Sequence, residues 1–204
     1  MPVTVAPGFS EAQRATAAAL FWQAFSTKLG FLMRPEPKAH RFLAAVLDPT
    51  HAISATASDG TLLGIAGFKT ADGAFVGGTM RDFAGVYGWF GTAWRVPLLA
   101  LLERDLAPDS LLMDGIFVHG QARGQGIGTQ LLDAIKAEAI ARNLRHVRLD
   151  VIDNNPRARA LYERQGFTPG EVSSLGPLRH VFGFNCATTM IWTAPHNAGR
   201  NLRI

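Results

Sequence analysis

Seven residues, Arg123-Gly-Gln-Gly-Ile-Gly-Thr129, carry the clearest chemistry in the chain. They follow an apolar run, Leu111 to Val118. They precede Ile127, Leu131, Ala134 and Ile135, whose spacings of three and four mark one face of a helix. A strand that turns through glycines into a helix presents an anion site. The first turn of a helix leaves backbone N–H groups without partners, and its dipole puts partial positive charge at the same end. Gly124, Gly126 and Gly128 keep Cβ atoms out of the way, so the main chain can come within hydrogen-bond distance of a phosphate. The turn formed by Arg123, Gly124, Gln125, Gly126, Ile127, Gly128 and Thr129 is expected to hold a pyrophosphate-like group. A purely structural tight turn is the competing reading of the same glycines.

Two familiar phosphate motifs do not fit. Counted from Gly126, a dinucleotide fingerprint needs glycine where Leu131 stands, and no Gly-Lys-Ser/Thr triplet of a nucleotide-triphosphate loop occurs. The net charge of +4 and a sequence pI near 9.7 suit a polyanionic ligand. The arginines and lysines are scattered rather than clustered, so nucleic acid is not an expected partner.

The elements that must position the turn can be read in order. Residues 2–6 form an edge strand, and a helix over 11–29, capped by Ser10, is expected to stop at Gly30. A second helix runs from Pro35 to about Leu47 and ends before Pro49. Strands at 51–57 and 62–69 flank the turn Ser58-Asp59-Gly60-Thr61. Residues 80–106, with Phe83, Tyr87, Trp89, Phe90 and Trp94, read as two helices broken near Gly88–Gly91 and again near Pro97. This segment is expected to roof a pocket, form a homodimer face or extend the core, and the sequence leaves the three open. Strand 111–118, helix 126–142 and strand 146–152 make a crossover joining parallel neighbours. Strict alternation would send Asp114, Ile116 and Val118 to one face and Gly115 and Phe117 to the other. Helix 157–165, with Asn155 as cap and Pro156 at its first position, leads into antiparallel strands at 167–175 and 181–193. Residues 194–204 read as a tail.

Two separated blocks resemble the GNAT N-acetyltransferase superfamily. Arg123-x-x-Gly126-x-Gly128 after an apolar strand resembles its acyl-CoA signature. Asn155-x-x-Ala158-x-x-Leu161-Tyr162-Glu163-x-x-Gly166-Phe167 resembles its later motif, in the same order. The resemblance covers 111–168 well and the first hundred residues in outline. It implies an α/β (α+β) fold: a mixed, mostly antiparallel sheet with a central parallel strand pair, helices on both faces, and a helical insertion at about 80–106. It also implies a single acyltransferase domain that moves an acetyl group from acetyl-CoA to an amine acceptor by direct attack in a ternary complex. A non-catalytic acyl-CoA-binding sensor is the alternative.

By the same resemblance, Ile116, Phe117 and Val118 contact the pantetheine arm and Arg123 to Thr129 surround the pyrophosphate. Asn155 adds a cofactor contact, and Tyr162 serves as proton donor to the departing thiolate. Asp150, twelve residues before Tyr162, is the first choice for relaying the amine's proton, with Asp114 as runner-up. Gly120 stands where many relatives carry proline. Early helices of the family lie over the acceptor, which brings Phe25, Phe31 and Met33 into view, although core packing is the commoner role of such residues.

The remaining features narrow the class. With 204 residues, 48% apolar and 18% charged, the chain has the make-up of a compact soluble protein. A lone cysteine, Cys186, rules out an internal disulfide and points to a cytoplasmic setting. No secretory leader is evident, and the apolar run Val96–Leu102 is far short of the roughly 20 residues that span a bilayer, so no membrane role is expected. His119, His146 and His180 lack metal-binding spacing, so no metal is expected either.

Overall fold

The computed structural model describes residues 2–100, 105–176 and 179–195. The apolar runs assemble into one sheet whose strand order is β1 (Val3–Pro7), β2 (Ala52–Ala57), β3 (Leu62–Thr70), β5 (Ser110–Val118), β6 (His146–Ile152), β8 (Cys186–Thr193) and β7 (Thr168–Ser174). A two-residue β4 (Gly73–Ala74) pairs with β3. Every pairing is antiparallel except that of β5 with β6. This is the mixed sheet with a central parallel pair that the sequence implied.

The sheet separates two apolar cores. On one side α1 (Arg14–Met33), α2 (Glu36–Val46) and α3 (Met80–Ala100) bury Leu20, Phe21, Leu32, Phe42 and Phe83, joined by Phe182 from α6 (Arg179–Phe182). On the other, α4 (Ile127–Ala141) buries Ile127, Leu131, Leu132 and Ile135 against β5 and β6, with Tyr162 from α5 (Pro156–Arg164). Both faces of the central strands are therefore dry, which accounts for their near-continuous apolar character.

Several expectations change. α1 runs through Gly30, which is buried inside the helix, and ends at Met33 because Pro35 disfavours helical backbone at Arg34. The chain at 179–182 is helix rather than strand. Phe182 and Phe184 both enter the first core, and Gly183 at φ 73° makes the turn between them. α3 breaks at Gly88 (φ 72°, ψ 161°) but continues past Pro97 to Ala100. Residues 101–104 of the expected 80–106 segment and residues 196–204 of the expected 194–204 tail lie outside the described residues. No helix among the described residues is long and apolar enough to cross a membrane.

Arg95 and Tyr87 fasten α3 to the end of α1. The Arg95 Nε–H donates to the Leu32 carbonyl at 2.9 Å, and the Tyr87 hydroxyl donates to the Met33 carbonyl. Two of the carbonyls left over at the end of α1 are satisfied in this way.

Candidate functional site

The ladder between β5 and β6 is short. It pairs Ser110, Leu111 and Leu112 with His146, Val147 and Arg148 and then stops, although both strands continue. From Met113 onward β5 stays with β3, while β6 stays with β8 as far as Ile152. An irregularity lies two residues beyond the last pair. Met113 faces Phe68 and Gly115 faces Gly67, so Asp114 is an extra residue in β5. Such a bulge bends its strand and sharpens the local twist.

The bulge also resets which way the side chains point, and it overturns the simple alternation expected for β5. Ile116 and Val118 pack against the α4 core, as Leu111 and Met113 do, whereas Phe117 belongs to the α1 core. Asp114 lines a cavity with Phe21 and Phe25 of α1, on the side that Phe117 faces. Asp114 and Ile116 therefore do not share a face.

Where the strands part, a cavity of about 620 Å³ passes between them. Its wall takes Asp114 to Phe117 from β5, Asp150 to Ile152 from β6, and Asn155, Ala158 and Tyr162 from the α5 end, closed by Phe25 and Phe182 from the opposite core. Of the residues singled out in the sequence, Ile116, Phe117, Asp114, Asp150, Asn155 and Tyr162 meet here. Val118 does not line the cavity; its carbonyl accepts the Arg123 Nε–H at 3.2 Å, which folds Arg123 back on the strand.

The glycine turn sits beside this cavity rather than in its wall. Gly124 and Gly126 both adopt φ 78°, a conformation that L side chains resist, and a Cβ on either would meet nothing within 4 Å. Gly126 is the N-cap of α4, and the first bond of the helix runs from Gln130 N–H to the Gly126 carbonyl at 3.1 Å. The N–H groups of Ile127, Gly128 and Thr129 have no carbonyl four residues earlier in the helix to bond. The Ile127 side chain is fully buried, so only its main chain faces the turn. Gly128 has a different job: a Cβ there would lie 3.3 Å from Leu161 Cδ2, so the glycine lets α4 approach α5 next to Tyr162. At the C-terminal end of α5, the Lys136 ammonium of α4 donates to the Gln165 carbonyl at 2.9 Å.

Tyr162 is 7% exposed, with its ring against Phe167. Burial alone pushes its pKa up to about 12, because the phenolate would lose its water. Asn155 caps α5 by accepting the Ala158 N–H at 3.2 Å, with Pro156 at the first helical position. Asp150 is half-buried, and its Oδ1 accepts the Thr189 hydroxyl at 2.9 Å from the neighbouring β8.

A second cavity, about 400 Å³, lies under α1, α2 and α3. Asp114 and Phe25 line both cavities and so mark where they meet. Met33 contributes to the second one, and Met80, Phe83, Val96 and Leu99 show that α3 forms part of its roof. Phe31 does not: it is exposed, with its ring 5.9 Å from Trp94. Sequence reasoning missed Lys69 in this second wall. A lysine inside the apolar run of β3 was the signal that could have flagged it.

Comparison with known proteins places this geometry. The model of the Acetyltransferase (GNAT) family matches residues 16–167. The chain belongs to the GNAT acetyltransferase family. Solved structures with the same fold include a GCN5-related N-acetyltransferase from Kribbella flavida, with TM-score 0.63, 15% identity, and 94% of this chain and 98% of that one covered. Another is the ribosomal-protein-S18-alanine N-acetyltransferase of Escherichia coli, with TM-score 0.57, 16% identity and complete coverage of both chains. A third, described simply as an acetyltransferase, gives TM-score 0.63 at 20% identity, covering 94% of this chain and all of the other. At these identities the likeness is one of fold. As a GNAT family member the chain is an acyltransferase. Among its described residues no cluster of three His, Cys, Asp or Glu is placed to hold a metal ion.

Proposed function

We propose that this protein transfers an acetyl group from acetyl-CoA to the nitrogen of an amine, by direct attack with both substrates bound. The observation that carries the reading is the divergence of β5 from β6 beyond Leu112 and Arg148, with Tyr162 in the gap and the open amides of the glycine turn beside it. The cosubstrate fits on chemical grounds. A diphosphate suits N–H groups at Gly126 to Thr129 with no Cβ in the way, and an extended amide-bearing arm suits the edge of β5 that has lost its strand partner.

The amine nitrogen attacks the thioester carbonyl, the C–S bond breaks, and the sulfur leaves as a thiolate. Magnitudes define the part of Tyr162. With its pKa near 12 against about 8.5 for an ordinary thiol, complete proton transfer to the thiolate is uphill by about 5 kcal/mol. A hydrogen bond from the neutral hydroxyl to the developing thiolate is therefore the working interaction, and a dry cavity strengthens it. The amine arrives as an ammonium, and exposing its lone pair at pH 7 costs about 4–5 kcal/mol for an alkyl amine. A carboxylate that takes this proton lowers that cost.

Of the two aspartates, Asp114 borders both cavities and so meets an acceptor coming from the α1–α3 side. Asp150 borders the cavity between the strands but not the other one. We therefore assign proton acceptance to Asp114 and give Asp150 a supporting place in the wall. Cys186 lines neither cavity, in keeping with transfer that needs no covalent enzyme intermediate.

Calorimetry with coenzyme A and thiol release from acetyl-CoA in the presence of an amine panel test the reading together. Binding with turnover supports it. Binding without turnover on any amine turns the protein into an acyl-CoA sensor, and absence of binding removes the proposal.

A further inference from the structure

From Trp89 to Ala100, α3 shows solvent the wrong polarity. The exposed residues of this stretch are Trp89, Phe90, Ala93, Trp94, Pro97 and Ala100, and all six are apolar. At 100° per residue they fall on one face about 140° wide. The one hydroxyl and the one charge of the stretch are engaged with the protein's own carbonyls. Thr92 donates to Gly88 at 2.8 Å, and Arg95 donates to Leu32 at 2.9 Å and Gly91 at 3.2 Å. A surface helix ordinarily carries the opposite pattern. Phe31 of α1 extends the patch, its ring 5.9 Å from that of Trp94.

The patch is large enough for a stable contact. Phe90 is 92% exposed, Trp89 69%, Phe31 62% and Trp94 40%, so the four rings together offer water about 600 Å². That is the upper end for the largest apolar patch of a monomer. With Ala93, Pro97 and Ala100 added, the face approaches the ~800 Å² that each partner gives to a standard interface. A helix that lies on a bilayer surrounds its apolar face with lysines and arginines for the headgroups, whereas the single cation here is tied to the Leu32 and Gly91 carbonyls. A two-fold contact sets one patch against itself, so a charge on it would meet its like. A face without exposed charge is complementary to its own copy.

We infer that the Trp89–Ala100 face of α3, together with Phe31, is a two-fold interface between two copies of this chain. α3 then has two roles. Val96 and Leu99 on its inner side line the second cavity, while its outer rings pack on the partner copy, so dimerisation braces the cavity roof from outside.

Sedimentation velocity on the whole chain, over a series of micromolar concentrations, tests this. The parent should reach twice the 22.0 kDa of one chain. Phe90→Glu puts a carboxylate into each half of the contact, and Trp89→Ser removes a large ring. Each should weaken the dimer by at least about thirtyfold, as loss of an interface hot spot does. Both side chains stand outside the cores, so the variants should keep the far-ultraviolet circular dichroism of the parent. The parent's melting temperature should rise with protein concentration, and that of Phe90→Glu should not. A parent that stays monomeric at every concentration overturns the inference, whether it is inert or instead adheres to vesicles of phosphatidylcholine and phosphatidylglycerol. A dimer that survives both substitutions overturns it too, since its contact then lies elsewhere on the molecule.

Discussion

Replacing Tyr162 by phenylalanine removes one buried oxygen and leaves the ring that packs on Phe167. Burial is the sole cause of the raised pKa, with no hydrogen bond or charge contributing, so the variant disrupts no strong polar network. Its folding stability should stay within about 1 kcal/mol of the parent, since deleting a buried hydroxyl without a protein partner is nearly neutral. Catalysis should respond quite differently. A neutral donor facing a developing thiolate in a dry site makes a charge-assisted hydrogen bond worth about 1.5–3 kcal/mol, or roughly 10- to 150-fold in rate. The assay is initial-rate thiol release at saturating acetyl-CoA, alongside coenzyme A affinity by calorimetry and thermal melting. A fall of that size in kcat with unchanged coenzyme A affinity and melting temperature fits a donor acting on the leaving group. Undiminished turnover, or a loss accompanied by weaker coenzyme A binding or a large drop in melting temperature, would refute the reasoning.

Other consequences are equally concrete. The chain has two tyrosines, Tyr87 and Tyr162, and burial pushes both to about 12, so absorbance should show no tyrosinate near pH 10 while the fold holds. Because the native state keeps a proton that the unfolded chain releases near pH 10, stability from Tyr162 is full below pH 10 and declines by up to about 3 kcal/mol as pH rises toward 12; a half-titration near 10 in the native protein contradicts this. Gly126→Ala meets no atom within 4 Å but must hold φ 78°, which costs about 1–2 kcal/mol. Its melting temperature should fall modestly and its coenzyme A affinity more clearly, and full affinity would dissociate the turn from the cosubstrate. Asp114→Asn should lower kcat/KM at pH 7 by at least tenfold and regain part of it at alkaline pH, where the amine is already neutral. Asp150→Asn should do less, and the reverse ranking would move proton acceptance to Asp150. Gly67→Ala would set a Cβ 2.2 Å from Phe75 Cδ1 in the first core, and overpacking of this kind should cost about 1–3 kcal/mol by denaturant titration.

The legible parts of the chain were those fixed by local pattern. β6 occupies 146–152 as its alternation implied, and α4 and α5 fall within a residue of their expected limits because glycine, asparagine and proline mark their starts. The Asp114 bulge was not legible, since it depends on how β5 meets Gly67 and Phe68, residues more than forty positions away. α1 overran Gly30 because burial against α2 and the sheet outweighs the weak helix propensity of one glycine. The second cavity was invisible for a related reason. Its walls come from α1, α2, β3, α3 and β5, so no single stretch of sequence carries its pattern.

The bulge ties fold to chemistry more closely than any motif does. One additional residue in β5 ends the pairing with β6, which opens the space a thioester arm requires. The same residue shifts the facing of the strand beyond it, so that Ile116 and Val118 seal the α4 core while Phe117 turns toward α1. Without that shift, strict alternation along β5 would place Phe117 on the α4 side and carry Ile116 to the acceptor side. Asp114 keeps the facing of Leu112, and what the irregularity exchanges are the facings of Ile116 and Phe117 just beyond it. Any change that restores regular pairing of β5 with β3 should close the gap and exchange the facings of Ile116 and Phe117 together, and no substitution confined to the glycine turn can compensate for it.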